Sequence, residues 1–206
     1  VADSTRTFTE GMIGSVQRLN PLLADLNAVD RDISSLIFEG LTRINEYGEP
    51  VPALAQRWVI SNDGLDYAVV LRDDVLWHTG IPFTADDVIY TMSLLADPDF
   101  PGDPAVGEFW QTVDIQKLDA HTVRFRLAQP LGSFLYRLTV GILPVHVLGE
   151  TSAAELANHP SNIAPIGTGP YQVEALRTTS GSGISAVDLQ PAPTFKQRAD
   201  VTVSDY

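Results

Sequence analysis

Two stretches of this sequence read as strands folded back on themselves, and they limit the fold more than any other feature. In residues 123–127, Val123, Phe125 and Leu127 alternate with Arg124 and Arg126, a period of two that sends apolar side chains to one face and arginines to the other. Residues 113–118 pair with them across the turn Asp119-Ala120-His121, and residues 59–61 pair with 67–71 across Asn62-Asp63-Gly64. Hairpins make antiparallel sheet, and a strand face made of arginines stays in water, so such a sheet is covered on one side only. An alternating βαβ array is excluded; the fold class expected is mixed α/β, of the α+β kind.

Helical patterns supply the cover. From Asp30, the side chains of Ile33, Leu36, Ile37, Gly40 and Leu41 fall on one face, with Asp30 or Asp32 as the cap and an end near Gly40. Thr84-Ala85-Asp86-Asp87 has capping-box chemistry, Val88, Ile89, Met92 and Leu95 form the buried face behind it, and Pro98 stops that helix. Short helices are expected at residues 133–138 and 152–157, and further strands at 6–9, 171–176, 184–189 and 201–203. Residues 178–183 (TTSGSG) form a flexible turn between two of these strands, and NEYGEP at 45–50 is another turn. No internal repeat is present.

Composition removes several function classes. Twenty-six acidic against thirteen basic residues give a net charge of −13, which repels phosphate backbones, so nucleic acid is not an expected partner. Without cysteine there are no disulfides, thiolate metal sites or cysteine nucleophiles. No apolar run of about 18 residues occurs, and the opening VADSTRTFTE lacks the pattern of an export signal.

Catalytic signatures are missing too: there is no G-x-S-x-G, H-E-x-x-H, phosphate loop or dinucleotide fingerprint. His78, His121, His146 and His159 stand far apart and read as turn or surface residues. Residues 97–108 imitate a calcium loop, with carboxylates at positions one, three and twelve and a glycine at six, but Pro101 takes the fifth-position ligand and Pro104 an amide. A proline-stiffened surface loop is the preferred reading. Asp73-Asp74 and Asp86-Asp87 point in different directions from a strand or helix and read as turn and cap residues. Trp58 and Trp77 read as core, whereas Trp110 lacks a clean period around it.

Residues 38–88 carry an acidic-Gly-Leu helix end (Glu39-Gly40-Leu41), P-A-L-A from Pro52, S-x-D-G from Ser61, an L-R strand end at Leu71-Arg72, Trp77-His78-Thr79-Gly80, and T-A-x-D-V from Thr84. A second block runs Pro165-Ile166-Gly167-Thr168-Gly169-Pro170-Tyr171. In this order the two blocks resemble the signature regions of the bacterial extracellular solute-binding proteins of family 5, the oligopeptide, dipeptide and nickel receptors of ABC importers. Thr79 departs from the acidic or polar residue common there, and Q-P-A-P-T-F from Gln190 replaces the usual N-P-x-Y-W. Most signature residues are scaffolding: Gly64 and Gly80 suit positive φ, Pro52 and Pro82 fix φ ahead of short helices, and Thr84 caps.

The resemblance implies a periplasmic binding protein type II-like lobe with an inserted subdomain. Residues 1–206 would be the first lobe, about 30–160 including the inserted subdomain and about 161–206 forming return strands toward the hinge, with the second lobe absent. It implies the substrate-binding component of an ABC importer, capturing oligopeptides or a similar small organic solute by closure of two lobes. No catalytic residue, metal or other cofactor is expected. The partners would be the solute and the ABC permease subunits, the state monomeric, and the location extracellular or periplasmic, with lipid anchoring of a full-length precursor left open. A carbohydrate receptor of the same family and a non-transport interaction domain are the alternatives, and stacking platforms at Trp110 and Tyr136 would mark the sugar reading. A lone lobe cannot close, so the chain is expected to fold yet bind peptides weakly or not at all.

For the ligand site, the resemblance points to the loop Glu10, Gly11, Met12 and Ile13, where a backbone edge and a carboxylate could meet an extended peptide, and to Trp110 and the turn Gly141, Ile142, Leu143. A nickel receptor would place a basic residue near that turn, and Gly141 and Ile142 supply none, which leans toward a peptide or other organic solute.

Overall fold

In the computed structural model, residues 8–149, 151–179 and 183–195 are described. The first helix, α1 (Ala28–Ile37), is capped by Asn27, whose side chain accepts from the Val29 amide at 3.0 Å. Asp30 lies inside the first turn, where its two carboxylate oxygens accept from the Gln17 and Arg18 amides at 2.8 and 2.9 Å. The helix thus starts before the aspartates expected to cap it, because a distant backbone claims Asp30. It ends at Ile37, leaving Gly40 and Leu41 beyond it and Leu36 exposed.

Strands β1 (Thr42–Ile44) and β2 (Pro50–Pro52) form a ribbon whose turn is held by Asn45, which accepts from the Tyr47 and Glu49 amides. Pro52 closes a strand and precedes no helix. The main sheet contains β3 (Ala55–Ile60), β4 (Asp66–Leu71), β5 (Asp114–Asp119) and β6 (Thr122–Arg126), antiparallel in the order β3-β4-β6-β5. Both expected hairpins are present, and Gly64 turns the first with φ +70°. Tyr67 stands opposite Phe125, and Val69 opposite Val123, on the buried face. On the other face Asp66 accepts from Arg124 and Arg126 at 2.6 and 2.7 Å, so the alternating arginines are held in place while remaining in water.

Helices α2 (Ala85–Ala96) and α3 (Pro104–Trp110) cover the apolar face. The Thr84 capping box forms with Asp87, and Val88, Met92 and Leu95 turn inward. Below them Phe134, on α4 (Phe134–Arg137), is ringed by Tyr67 at 4.6 Å, Phe125 at 5.6 Å and Trp110 at 6.1 Å between centroids. Edge-to-face and tilted pairs of this kind add about 0.5–1.5 kcal/mol each beyond the area they bury. Trp77 is fully buried, in line with its expected core role.

Asp87 does more than cap. At 2% exposure it accepts from the Thr84 amide, the Trp77 indole and the amide of Val145, which opens α5 (Val145–Leu148). Burial raises its pKa, opposed by these hydrogen bonds and by His146, whose ring packs edge-on against Trp77. One carboxylate therefore ties together the signature residues Trp77, Thr84 and Asp87. His146 Nε2 also meets Thr79 Oγ1 at 2.9 Å.

After α6 (Ala153–Leu156) the chain enters a ribbon of β7 (Tyr171–Thr179) and β8 (Gly183–Pro191). Of the turn expected at residues 178–183, Thr178, Thr179 and Gly183 belong to these strands, and residues 180–182 lie outside the described ones. The strand expected at 201–203 and residues 6–7 of the one expected at 6–9 also lie outside them, and Phe8 and Thr9 form no strand. Upstream, Val16 bridges to Ile184.

The two signature blocks meet in space. The His78 amide donates to Gly167 O at 2.9 Å, the Gly167 amide donates to His78 Nδ1 at 3.2 Å, and His78 Nε2 lies 3.0 Å from Gly169 O. Since Nδ1 accepts, the ring proton sits on Nε2 and is donated to Gly169. The Gly169 amide in turn donates to Ile37 O at 2.8 Å, ending α1. A Cβ on Gly167 would lie 1.9 Å from that same carbonyl, which is why glycine is required there.

Candidate binding cleft

A cleft of about 860 Å³ opens where three parts of the chain converge: the approach to α1, the β1–β2 ribbon, and the α3 and α4 ends. Each wall has a local cause. Asn20, buried, donates to Asn162 Oδ1 at 2.9 Å and accepts from the Leu22 amide, which fixes Pro21 and Leu22 at one rim. The Asp30 clamp on residues 17 and 18 then directs the chain into α1, whose Ser34 and Ser35 line the cleft. Gly141 faces this wall so closely that a Cβ would come within 2.6 Å of Pro21 and 2.9 Å of Phe38.

Opposite, Trp110 and Tyr136 contribute aromatic surface of different kinds. Trp110 is 2% exposed, with its ring committed to Phe109, Phe125 and Phe134. Tyr136 is 44% exposed and donates its hydroxyl to Gly48 O at 2.8 Å. Next to it, the Arg137 guanidinium lies 5.0 Å over the Phe109 ring.

The cleft's electrostatics differ from the chain's. Arg31, Arg43, Arg72 and Arg137 line it, against Asp25, Glu39 and Asp103. Arg72 is paired with Asp74 at 2.6 Å and Arg31 with Asp32 at 3.5 Å, while Arg43 has no ion pair among the described residues. Asp103 caps α3 by accepting from the Ala105 amide. Such a surface can hold a small solute by apolar contact, hydrogen bonding and ion pairing.

Of the eight residues expected to bind ligand, Trp110 and Gly141 share this cleft. Glu10, Gly11, Met12 and Ile13 are exposed and do not line it, with Ile13 entirely in solvent. Ile142 and Leu143 are buried, their amides donating to Glu39 O and Thr91 Oγ1. Asp25, Ser34 and Arg43 line the cleft without having been singled out from the sequence. No short motif marks them, because their convergence depends on Asn20, Asp30 and Gly141 acting across the chain.

The residues that imitate a calcium loop do backbone work: Asp97 accepts from the Asp99 amide and Asp103 from that of Ala105. Among the described residues no group of three metal-ligating side chains occurs. No helix there is long and apolar enough to cross a membrane.

The profile of the bacterial extracellular solute-binding proteins, family 5 Middle, matches residues 49–189. This chain belongs to that family. The probable ABC transporter periplasmic-binding protein SapA of Escherichia coli is 30% identical over 189 residues, covering 82% of this chain and 35% of SapA. Among solved structures, NikZ from Campylobacter jejuni in complex with Ni(L-His) superposes with a TM-score of 0.74 at 34% identity, covering 88% of this chain and 34% of NikZ. AppA from Bacillus subtilis in complex with a nonapeptide gives a TM-score of 0.79 at 27% identity, covering 90% and 36%. The chain spans about a third of the length of these family 5 relatives, and it has the mixed α and β, type II-like lobe the sequence implied.

Proposed function

We propose that this chain is one lobe of an ABC-importer receptor that captures a peptide or similar small organic solute, and that the 860 Å³ cleft is the lobe's share of the binding surface. The observation that carries the reading is the convergence of Pro21, Ser34, Arg43, Trp110 and Gly141 on one cleft in a family 5 chain. Closure against a second lobe would enclose the solute, and the closed form would be what the permease engages. The sheet and its helices form the inserted subdomain within about 30–160, and the β7–β8 ribbon begins the return toward the hinge within about 161–206. The role is binding without catalysis, by a monomer outside the cytoplasm whose precursor carries a lipid anchor or is free.

The aromatic walls support a peptide-like solute over a sugar. Stacking on a sugar needs an open ring face, and of the two platforms named for that reading Trp110 has its ring among other aromatics and Tyr136 is partly open. Calorimetry with a pool of tri- to pentapeptides tests the closure reading. The complete gene product should bind the pool, and the 206-residue chain alone should bind far more weakly; micromolar or tighter binding by the chain alone would overturn it.

A further inference from the structure

Serine and threonine hydroxyls on α1 and α2 follow one habit, and Ser34 breaks it. Ser35 Oγ donates to Asp32 O, Thr91 Oγ1 to Asp87 O and Ser93 Oγ to Tyr90 O, each at 2.7 Å. Ser34 sits on the same helix as Ser35, is only 3% exposed, and its Oγ has no hydrogen-bond partner among the described residues. It lines the cleft. A buried hydroxyl left unmet is unfavourable, and the carbonyls of its own helix are the kind its neighbours use. An acceptor brought to that wall by a solute would give the hydroxyl the partner its own helix does not supply.

Charge says what that is. Four of the thirteen basic residues line this one cleft, but only three of the twenty-six acidic ones. In a chain of net charge −13 this concentrates cations where a solute enters. Arg31 and Arg72 are already paired with carboxylates and Arg137 lies over the Phe109 ring, which leaves Arg43 as the cleft arginine with neither an ion pair nor a ring contact among the described residues. Resting on the solute-binding reading above, we propose that the cleft takes its solute by a carboxylate, with Ser34 Oγ donating a hydrogen bond to it and Arg43 supplying the opposing charge.

The test offers the immobilised complete gene product an equimolar pool of tri- to pentapeptides lacking Asp and Glu, half as free acids and half as C-terminal amides, with retained species identified by mass spectrometry. The wild type should retain free acids over amides. Ser34→Ala should lower affinity about tenfold, the size of one charge-assisted hydrogen bond. Without solute the same variant should unfold at the same denaturant concentration as wild type or a higher one, since it removes an unmet polar group. Arg43→Gln should abolish the preference for acids. Equal retention of amides by the wild type, wild-type affinity in Ser34→Ala, or easier unfolding of that variant without solute would each overturn the assignment. Retention of neither half by the wild type would instead sink the peptide reading itself, and this inference with it.

Discussion

Replacing Asp87 with alanine tests how the signature residues hold the lobe together. The carboxylate accepts from the Trp77 indole at 3.3 Å, the Thr84 amide at 2.9 Å and the Val145 amide at 3.0 Å. Hydrogen bonds to a charged acceptor contribute about 1.5–3 kcal/mol each, and a donor left buried loses the full amount. Trp77 is fully buried and cannot be rehydrated, whereas Thr84 and Val145 are partly exposed and can recover part of their loss from water. The expected cost is therefore about 4 kcal/mol, a large share of the roughly 5–15 kcal/mol that stabilises a domain. Asp87→Asn keeps one acceptor oxygen and should cost about half as much.

Urea unfolding followed by tryptophan fluorescence measures both variants. A pH series adds a second readout, because burial raises the Asp87 pKa in the folded state. The folded protein then binds the proton more tightly than the unfolded chain, so acidification through that window stabilises wild type but not Asp87→Asn. The gap between the two should widen as pH falls toward the ordinary carboxylate range. An alanine variant within about 0.5 kcal/mol of wild type, the range of ordinary surface changes, would refute the hub.

Two further outcomes follow from the same structure. Gly167→Ala should prevent normal folding or cost more than about 3 kcal/mol in chemical denaturation, because its Cβ meets Ile37 O at 1.9 Å; Gly48→Ala, at φ +79° in open space, should cost only about 1 kcal/mol. Burial lowers the His146 pKa, so the unfolded chain takes up the proton first and stability falls as pH drops below about 6.5 toward the folded value. His146→Gln should flatten that part of the stability profile in the same urea series.

The sequence was most readable where structure is local. The alternation at Val123 to Leu127, the Asn62-Asp63-Gly64 turn and the Thr84 box each settle their element within a few residues, and all three formed as expected. Asp30 was misleading for the opposite reason. By type it is a good cap, but its oxygens serve amides 12 and 13 residues away, and Asn27 caps instead. Likewise Pro52 fits a helix start by chemistry but closes β2 because its neighbours pair with β1. The cleft shows this limit most clearly: Trp110 and Gly141 could be named from the resemblance, but Ser34 and Arg43 reach the same cleft only through contacts spanning most of the chain, such as Asn20 with Asn162.

The grip of His78 on Gly167 and Gly169 bears on the order in which the chain can settle as it leaves the ribosome. The last carbonyl of α1 waits for the Gly169 amide, and Leu19 waits for Asn162, so both find these partners only after residues 162 and 169 have been made. The sheet between them needs neither contact and can assemble first, as a closed excursion from an unfinished base.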